Sequence, residues 1–201
     1  DKPMIFYPLN ILLEANIKEI MIVTTAKDSK NFYDLLGDGS DRGISIEYTI
    51  QDKPEGIAQA LTICENWIDD SSVVLILGDN LFFGPEFNKI TIDAINNNQG
   101  ATIFCVNSRE PERFGVVDFS KEWEAISIVE KPSNPKSNWI VTGLYIYDNN
   151  SVEKAKTLKK SKRGEYEITE INSKYLEEGN LKTIKLSSDF SWLDTGTFDT
   201  L

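Results

Sequence analysis

Apolar residues recur along the chain in two alternating patterns. Continuous or alternating apolar runs predict strands at residues 18–25, 44–50, 73–80 and 101–107. Apolar residues at helical spacing predict helices at residues 8–16, 28–36 and 57–67, and a loop leading into a helix at 82–97. Regular alternation of strands and helices is typical of a mostly parallel sheet with helices on its faces.

The second half of the chain has a different pattern. Two short strands, 115–119 and 125–130, are close enough in sequence to pair antiparallel, and a strand at 139–147 follows. The remaining segments predict helices at 151–158 and 168–178, a strand at 181–186 and a loop at 190–197. The predicted fold class is α/β, with a mixed, mostly parallel sheet flanked by helices and a small antiparallel β insertion in the second half. Because no repeat or linker interrupts residues 1–201, we expect a single domain.

The strand that begins at Val73 organises the rest of the prediction. Five consecutive apolar residues, from Val73 to Leu77, indicate a strand covered on both faces. Asp79 follows directly, after Gly78, at the carboxyl end of this strand, where ligands bind in open α/β sheets. Asp79 is therefore a candidate metal ligand or substrate anchor. The alternative is a loop aspartate that caps a turn or helix.

Composition excludes several classes of function. The formal net charge of −11 argues against a nucleic-acid partner, and no apolar run approaches the ~18 residues of a membrane span. The sequence contains no histidine, which excludes Ser-His-Asp and Cys-His catalysis and the usual zinc sites. Cys64 and Cys105 lie in apolar company and are expected to be buried thiols. An enzyme with this composition would depend on carboxylates, lysine, arginine and a divalent metal.

Asp194 is the second candidate carboxylate. Like Asp79, it lies beside apolar residues and close to a glycine, Gly196, that allows close backbone approach. Two carboxylates converging from separate segments would suit Mg²⁺, which takes few protein ligands and prefers substrate phosphates for the rest. Turn or helix capping is again the alternative for both residues, and the sequence leaves their convergence open.

Two cations stand where they could meet a phosphate. Lys131 precedes Pro132, which disfavours the helical conformation and is expected to hold Lys131 extended. Arg163 lies in the loop before the helix predicted at 168–178. Either side chain could instead be a solvated loop charge. Thr169, inside that helix, is expected at the surface unless a site faces it.

Gln51 and Gly56 flank the turn between a strand and a helix. The glutamine amide offers one donor group and one acceptor, which could pair with the edge of a nucleobase. The glycine could allow a planar ring to lie on the backbone. The alternative is that both are simply turn residues.

Taken together, motifs along essentially the whole chain resemble the glucose-1-phosphate thymidylyltransferases, a family of sugar-phosphate nucleotidylyltransferases. Each motif is weak alone, but their order and spacing are specific. They are Tyr7-Pro8-Leu9, Leu36-Gly37-Asp38-Gly39, Gly56-Ile57-Ala58-Gln59-Ala60, Leu77-Gly78-Asp79-Asn80, Arg113-Phe114-Gly115-Val116-Val117, Glu130-Lys131-Pro132, Val141-Thr142-Gly143-Leu144-Tyr145, Arg163-Gly164-Glu165 and Trp192-Leu193-Asp194-Thr195-Gly196.

The resemblance implies a Rossmann-like α/β fold and a role for each candidate residue. It implies that Asp79 and Asp194 ligate Mg²⁺ and that Gln51 and Gly56 recognise thymine. The sugar and sugar-phosphate contacts it implies are Gly115, Glu130, Lys131, Gly143 and Tyr145, with Lys131 on the phosphate and Arg163 as a further phosphate-binding residue. The implied reaction is attack by the phosphate oxygen of glucose 1-phosphate on the α-phosphorus of dTTP. Pyrophosphate leaves and no protein nucleophile is needed.

The resemblance also implies a biological setting: a cytoplasmic homotetramer that is inhibited by the end product and makes dTDP-glucose for dTDP-rhamnose or other deoxysugars. A UTP- or CTP-using enzyme and a non-catalytic nucleotide-sugar-binding protein remain alternatives. The family carries a first strand and a Gly-rich, Arg-containing phosphate loop ahead of the position of Asp1, and further helices after the position of Leu201. None of these lies within residues 1–201, so we expect this segment alone to be inactive.

Overall fold

The structure, a computed structural model, describes residues 2–196. The helices are short, with 4 to 10 residues each. They are α1 (Phe6–Glu14), α2 (Ser29–Leu36), α3 (Gln59–Ile63), α4 (Glu65–Ile68), α5 (Phe87–Asn96), α6 (Ser151–Lys156) and α7 (Ile168–Glu177). The strands are β1 (Glu19–Thr24), β2 (Ser45–Ile50), β3 (Val73–Ile76), β4 (Asn80–Phe83), β5 (Ala101–Asn107), β6 (Gly115–Phe119), β7 (Ala125–Glu130), β8 (Trp139–Tyr147), β9 (Leu181–Lys185) and β10 (Ser191–Asp194).

Strand β8 is the centre of the main sheet. The order of that sheet is β7-β6-β8-β5-β9, and β3 also pairs with β8. Strand β8 is antiparallel to β3, β5 and β6, whereas β5 and β9 run parallel. Eight of its nine residues are buried, from Ile140 to Tyr147, as expected for a strand covered on both faces.

Two further strand pairs lie beside the main sheet. Strands β1 and β2 are parallel, and β4 and β10 are antiparallel. An apolar cavity of about 730 Å³ separates β1 from β3 and is lined by residues of both strands. Within residues 2–196, β3 pairs with β8 alone, so its other edge borders this cavity and its four residues are only half-buried.

The α/β class and the mixed sheet are confirmed, but the predominance of parallel strands is not. Among the described strands, only the pairs β1–β2 and β5–β9 are parallel. The prediction rested on the regular alternation of strands and helices in the first half of the chain. Instead, β8 returns from the second half of the chain and inserts between β3 and β5, which places an antiparallel strand at the centre.

Local patterns predicted most elements correctly. Strands β5, β6, β7 and β8 have the predicted bounds, while the helix predicted at 57–67 is divided at Cys64 into α3 and α4. Strand β10 and residues 82–83 of β4 lie in segments predicted as loop, whereas Asn80 was predicted to end the strand at 73–80. Cys64 and Cys105 are buried free thiols, as expected. Within residues 2–196, no helix has the length and apolar character needed to cross a membrane.

Candidate functional site

The pairing of β4 with β10 brings Asp79 and Asp194 together. Asp194 pairs with Asn80, the residue after Asp79. The carbonyl oxygen of Asp79 accepts hydrogen bonds from the Thr195 amide at 3.1 Å and the Thr195 hydroxyl at 2.7 Å. A Cβ built on Gly196 would lie 2.8 Å from Oδ2 of Asp79 and 3.2 Å from Oδ1 of Asp194. Both carboxylates therefore face the same small space beside Gly196.

Asn80 holds this arrangement from beneath and was not predicted as a functional residue. Its side chain is only 1% exposed. Its Oδ1 accepts hydrogen bonds from the Gly143 amide at 2.9 Å and from Nε1 of Trp192 at 2.7 Å, while its Nδ2 donates to Asp79 at 2.9 Å. Asn80 therefore joins β4, β8 and β10 and orients the Asp79 carboxylate.

Gly143 is required by this contact. A Cβ at residue 143 would lie 2.4 Å from Oδ1 of Asn80 and 2.7 Å from Cδ1 of Leu77. Any side chain would therefore push Asn80 away from the backbone amide that it accepts from. The glycine allows the strand and the amide to meet, which is one of the uses of glycine inside a strand.

A small cavity of about 170 Å³ opens next to these residues. It collects most of the predicted site residues from five separate segments of the chain. Those that line it are Gly115, Glu130, Lys131, Gly143, Tyr145, Arg163 and Asp194. Burial raises the pKa of the Tyr145 phenol far above its usual range, so the phenol stays protonated even at alkaline pH.

Carboxylates surround Arg163 on the wall of this cavity. Its guanidinium donates to Glu165 at 3.0 Å, to Glu130 at 3.3 Å and to Glu167 at 3.4 Å. Glu130 also accepts from the Thr169 hydroxyl at 2.5 Å, and Thr169 is buried. Thr169 was expected at the surface unless a site faces it, and this exception applies, because its side of α7 faces the cavity.

Lys131 has a conformation that the sequence analysis did not predict. Its φ is +41°, in the left-handed region, whereas Pro132 led us to expect an extended residue. The Lys131 amide donates to the Phe114 carbonyl at 2.9 Å, which continues the β6–β7 pairing by one residue. This tertiary hydrogen bond offsets the preference for an extended residue that Pro132 imposes. Lys131 lines the wall of the small cavity.

Gln51 and Gly56 lie apart from this cavity, on the wall of the larger one between β1 and β3. Ile57, Leu77 and Glu165 line both cavities, so the two spaces adjoin. Gly56 has φ +103°, and a Cβ there would lie 2.4 Å from the carbonyl oxygen of Tyr166. A glycine is thus required at this position because the Tyr166 backbone occupies the place of a Cβ, while Gly56 still lines the larger cavity.

The charges of the site fit a divalent cation. The lining of the small cavity carries Glu130, Glu165, Glu167 and Asp194 against Arg113, Lys131 and Arg163, so it would repel an anion without a further cation. Within residues 2–196, no cluster of three or more acidic, histidine or cysteine side chains is found. The Asp79–Asp194 pair is instead the sparse carboxylate set that suits Mg²⁺ when phosphates supply other ligands.

Asn80 and Thr169 are buried polar residues of the site that the local sequence pattern did not assign to it. Asn80 directly follows the candidate Asp79, whereas Thr169 lies six residues after the candidate Arg163, near the start of α7. Nothing in their local pattern indicates burial, because Asn and Thr are ordinarily found in turns and at exposed positions. Their positions in the site depend on contacts with distant strands.

The sequence of this chain is similar to those of known nucleotidyl transferases. The nucleotidyl transferase family model matches residues 1–201. The chain is 51% identical over 201 residues to the glucose-1-phosphate thymidylyltransferase of Neisseria meningitidis serogroup A, covering all of this chain and 70% of that protein. It is 49% identical to the enzyme of the same name from Mycobacterium tuberculosis strain H37Rv, covering all of this chain and 69% of that protein.

Solved structures agree with the sequence comparisons. A protein assigned as a glucose-1-phosphate thymidylyltransferase from Bacillus anthracis, in complex with sucrose, has a TM-score of 0.88 and 39% identity, covering 98% of this chain and 79% of that one. UDP-glucose pyrophosphorylase complexed with UDP-glucose has a TM-score of 0.82 over 99% of this chain and 83% of that one. At 22% identity, this second likeness concerns the fold alone.

Proposed function

The chain belongs to the glucose-1-phosphate thymidylyltransferases of the nucleotidyl transferase family, and from this premise we propose that its protein transfers a thymidylyl group from dTTP to α-D-glucose 1-phosphate. The products are dTDP-glucose and pyrophosphate. The observation that carries the proposal is the convergence of Asp79 and Asp194 beside the cavity that contains Lys131 and Tyr145. Carboxylates for a metal and a cation for a phosphate are what this chemistry needs.

The small cavity supports a role as the sugar-phosphate subsite. Its volume of about 170 Å³ suits one monosaccharide ring and is too small for a nucleotide. Glu130 lies directly opposite Gly115 on β6 and β7 and can accept hydrogen bonds from sugar hydroxyls. Lys131 reaches the same wall as a compact cation suited to a single phosphate. Arg163 supports the wall through Glu130 and contributes a second positive charge.

Asp79 and Asp194 would hold Mg²⁺ where the two phosphate-bearing substrates meet. When bound there, the ion supplies neutralisation of phosphate charge and a fixed position for the reacting phosphorus. Asn80 keeps the Asp79 carboxylate oriented, and Thr195 keeps the Asp194 segment against it. The side chains themselves position the sugar phosphate in line with the nucleotide, so no covalent intermediate with the protein is required.

The base is placed in the adjoining space, at Gln51 and Gly56. Both residues line the larger cavity at its border with the small one. This arrangement puts the base and the sugar in two adjoining cavities, with Asp194 on the wall of the smaller one. We further propose that Mg²⁺ is the cofactor, that the protein is a cytoplasmic homotetramer of which residues 1–201 form one domain, and that its product serves dTDP-rhamnose or related deoxysugar synthesis.

A pyrophosphate-release assay on the intact protein tests the proposal. The assay compares dTTP, UTP, CTP and ATP, each with glucose 1-phosphate and MgCl₂, and repeats the dTTP reaction with EDTA. We expect the largest kcat/KM with dTTP and loss of activity with EDTA. Preference for UTP or CTP would reassign the nucleotide, and no pyrophosphate release with any nucleotide would reject the enzyme in favour of a binding protein.

A further inference from the structure

A chain of hydrogen bonds runs from Gln51 to a charged pair at the surface. Nε2 of Gln51 donates to Oε1 of Gln59 at 2.6 Å and to the Gly56 carbonyl at 3.3 Å. Nε2 of Gln59 donates to Oε2 of Glu55 at 3.2 Å, and Lys160 donates to Oε1 of Glu55 at 2.6 Å. Four side chains from two segments, residues 51–59 and the loop that contains Lys160, are thus joined in a chain whose hydrogen bonds have a defined direction.

The two ends of the chain fix that direction. An ammonium can only donate and an ionised carboxylate can only accept. The hydrogen bond from Lys160 lowers the pKa of Glu55, which keeps that carboxylate ionised at neutral pH. Gln59 must therefore turn its Nε2 towards Glu55 and its Oε1 towards Gln51. The orientation of Gln51 follows, because only its Nε2 can donate to Oε1 of Gln59.

The consequence is that the Gln51 amide nitrogen is fully used inside the protein. It carries two hydrogens, and the Gln59 side chain and Gly56 carbonyl take one each. A flipped amide would put oxygen against both of these acceptors. Only Oε1 of Gln51 remains to meet a ligand in the larger cavity, so this residue acts there as an acceptor.

We propose that Gln59 is a specificity-determining positioning residue, which holds Gln51 with its oxygen towards the base and makes the site select thymine or uracil over cytosine. The inference rests on the proposed function, because it takes the nucleobase to lie at Gln51. Thymine and uracil carry a hydrogen on N3 that can be donated to Oε1 of Gln51. Cytosine carries a lone pair on N3, which would face the oxygen without a hydrogen between them.

Two variants of similar size at residue 59 separate this role from simple packing. Gln59→Met removes both hydrogen bonds and leaves the Gln51 amide free to turn. The matched control combines Gln59→Glu with Glu55→Gln: Lys160 donates to the amide oxygen at residue 55, the amide nitrogen at residue 55 donates to the carboxylate at residue 59, and that carboxylate keeps an acceptor towards Gln51. The assay measures kcat/KM for dTTP, dUTP and dCTP with glucose 1-phosphate on the intact protein. Because uracil lacks the methyl group of thymine but shares its hydrogen on N3, dUTP distinguishes an effect of the methyl group from an effect of N3.

We expect Gln59→Met to lower the dTTP-to-dCTP ratio of kcat/KM by about tenfold to a hundredfold, the range for one unmade polar contact, and to lower the dUTP-to-dCTP ratio equally. The double variant Gln59→Glu with Glu55→Gln should keep both ratios within about threefold of the parent protein. Unchanged ratios in Gln59→Met would overturn the proposal. An equal fall of kcat/KM for all three nucleotides leaves the ratios unchanged and would overturn it as well, because it would indicate a general packing defect at residue 59.

A third variant tests the direction of this chain of hydrogen bonds independently. In Glu55→Gln, Lys160 can still donate only to the amide oxygen, so the new nitrogen faces Gln59 and favours flipping of Gln59 and then Gln51. We expect the dTTP-to-dCTP ratio to fall in this variant too, and an unchanged ratio would count against the directional chain. Absence of any activity in the parent protein would instead reject the proposed function, so the two failures are distinguishable.

Discussion

Thr195 donates two hydrogen bonds to the carbonyl oxygen of Asp79, one from its amide at 3.1 Å and one from its hydroxyl at 2.7 Å. The contact joins segments 116 positions apart in sequence. Thr195 itself is buried, whereas the residues on either side of it are more exposed. Because Asp194 directly precedes Thr195, this pair of hydrogen bonds sets the separation of the two carboxylates on which the proposed chemistry depends.

Replacing either carboxylate should remove catalysis while leaving the fold in place. Asp79→Asn and Asp194→Asn keep the side-chain shape but weaken metal binding. We therefore expect kcat/KM for pyrophosphate release to fall by a factor of about 100 or more, since a catalytic metal supplies several kcal/mol. Asp93→Asn, an exposed change on α5, is the control and should retain parental activity. Parental rates in either site variant would refute the metal assignment.

Lys131→Ala should act mainly on the sugar phosphate. One charge-assisted contact to phosphate is worth about 1.5–3 kcal/mol, so the KM for glucose 1-phosphate should rise by about tenfold or more. The KM for dTTP should change little. Steady-state kinetics with each substrate varied in turn measures both values, and Lys121→Ala, an exposed lysine on the β6–β7 turn, provides the control. An effect confined to dTTP would contradict the assigned role.

Asn80→Ala should destabilise the protein as well as inactivate it. The change leaves the Gly143 amide and the Trp192 indole without their acceptor, at a cost of about 1–3 kcal/mol for each buried group. We expect the free energy of unfolding, measured by urea denaturation, to fall by about 2–6 kcal/mol. Asn96→Ala, at an exposed position of α5, should change it by less than about 0.5 kcal/mol. Equal effects of the two changes would show that Asn80 is not the junction described.

The thiols of Cys64 and Cys105 should not react with thiol reagents in the folded protein. Burial raises the pKa of Cys64 to about 11 and that of Cys105 to about 12, and thiol reagents attack the thiolate. At about pH 8, we expect no reaction with a disulfide reagent before denaturant is added and complete reaction afterwards. Ser188→Cys, which adds a thiol at an exposed position, should react at once. Rapid labelling of the parent protein would mean that one thiol is accessible.

Stability should decline at alkaline pH for the same reason. Burial raises the pKa of Cys64, Cys105 and the phenol of Tyr147 in the folded state, so the unfolded chain releases these protons first. Their contribution is complete below the unfolded thiol pKa of about 8.5 and is lost as the pH rises towards the folded values. Urea midpoints at about pH 7.5 and pH 10.5 should therefore differ, the alkaline one being lower. Replacing both cysteines by alanine should reduce that difference.

The amino-acid sequence determined the local elements because each depends on near neighbours. Strands β5 to β8 follow from runs of apolar residues that no other local structure would bury as well. Histidine-free composition and the order of motifs restricted the chemistry to carboxylates, lysine, arginine and a metal. Seven of the candidate residues line one cavity, although the local patterns alone gave no reason why they should meet.

Only the tertiary structure decided which distant segments meet. Strands β4 and β10 have four residues each, too few to be stable or recognisable alone, and each forms because the other is present. The insertion of β8 between β3 and β5 replaced the expected parallel neighbours with antiparallel ones. The left-handed backbone of Lys131 and the orientation of Gln51 are likewise set by Phe114 and Gln59, through hydrogen bonds that local sequence preference does not encode.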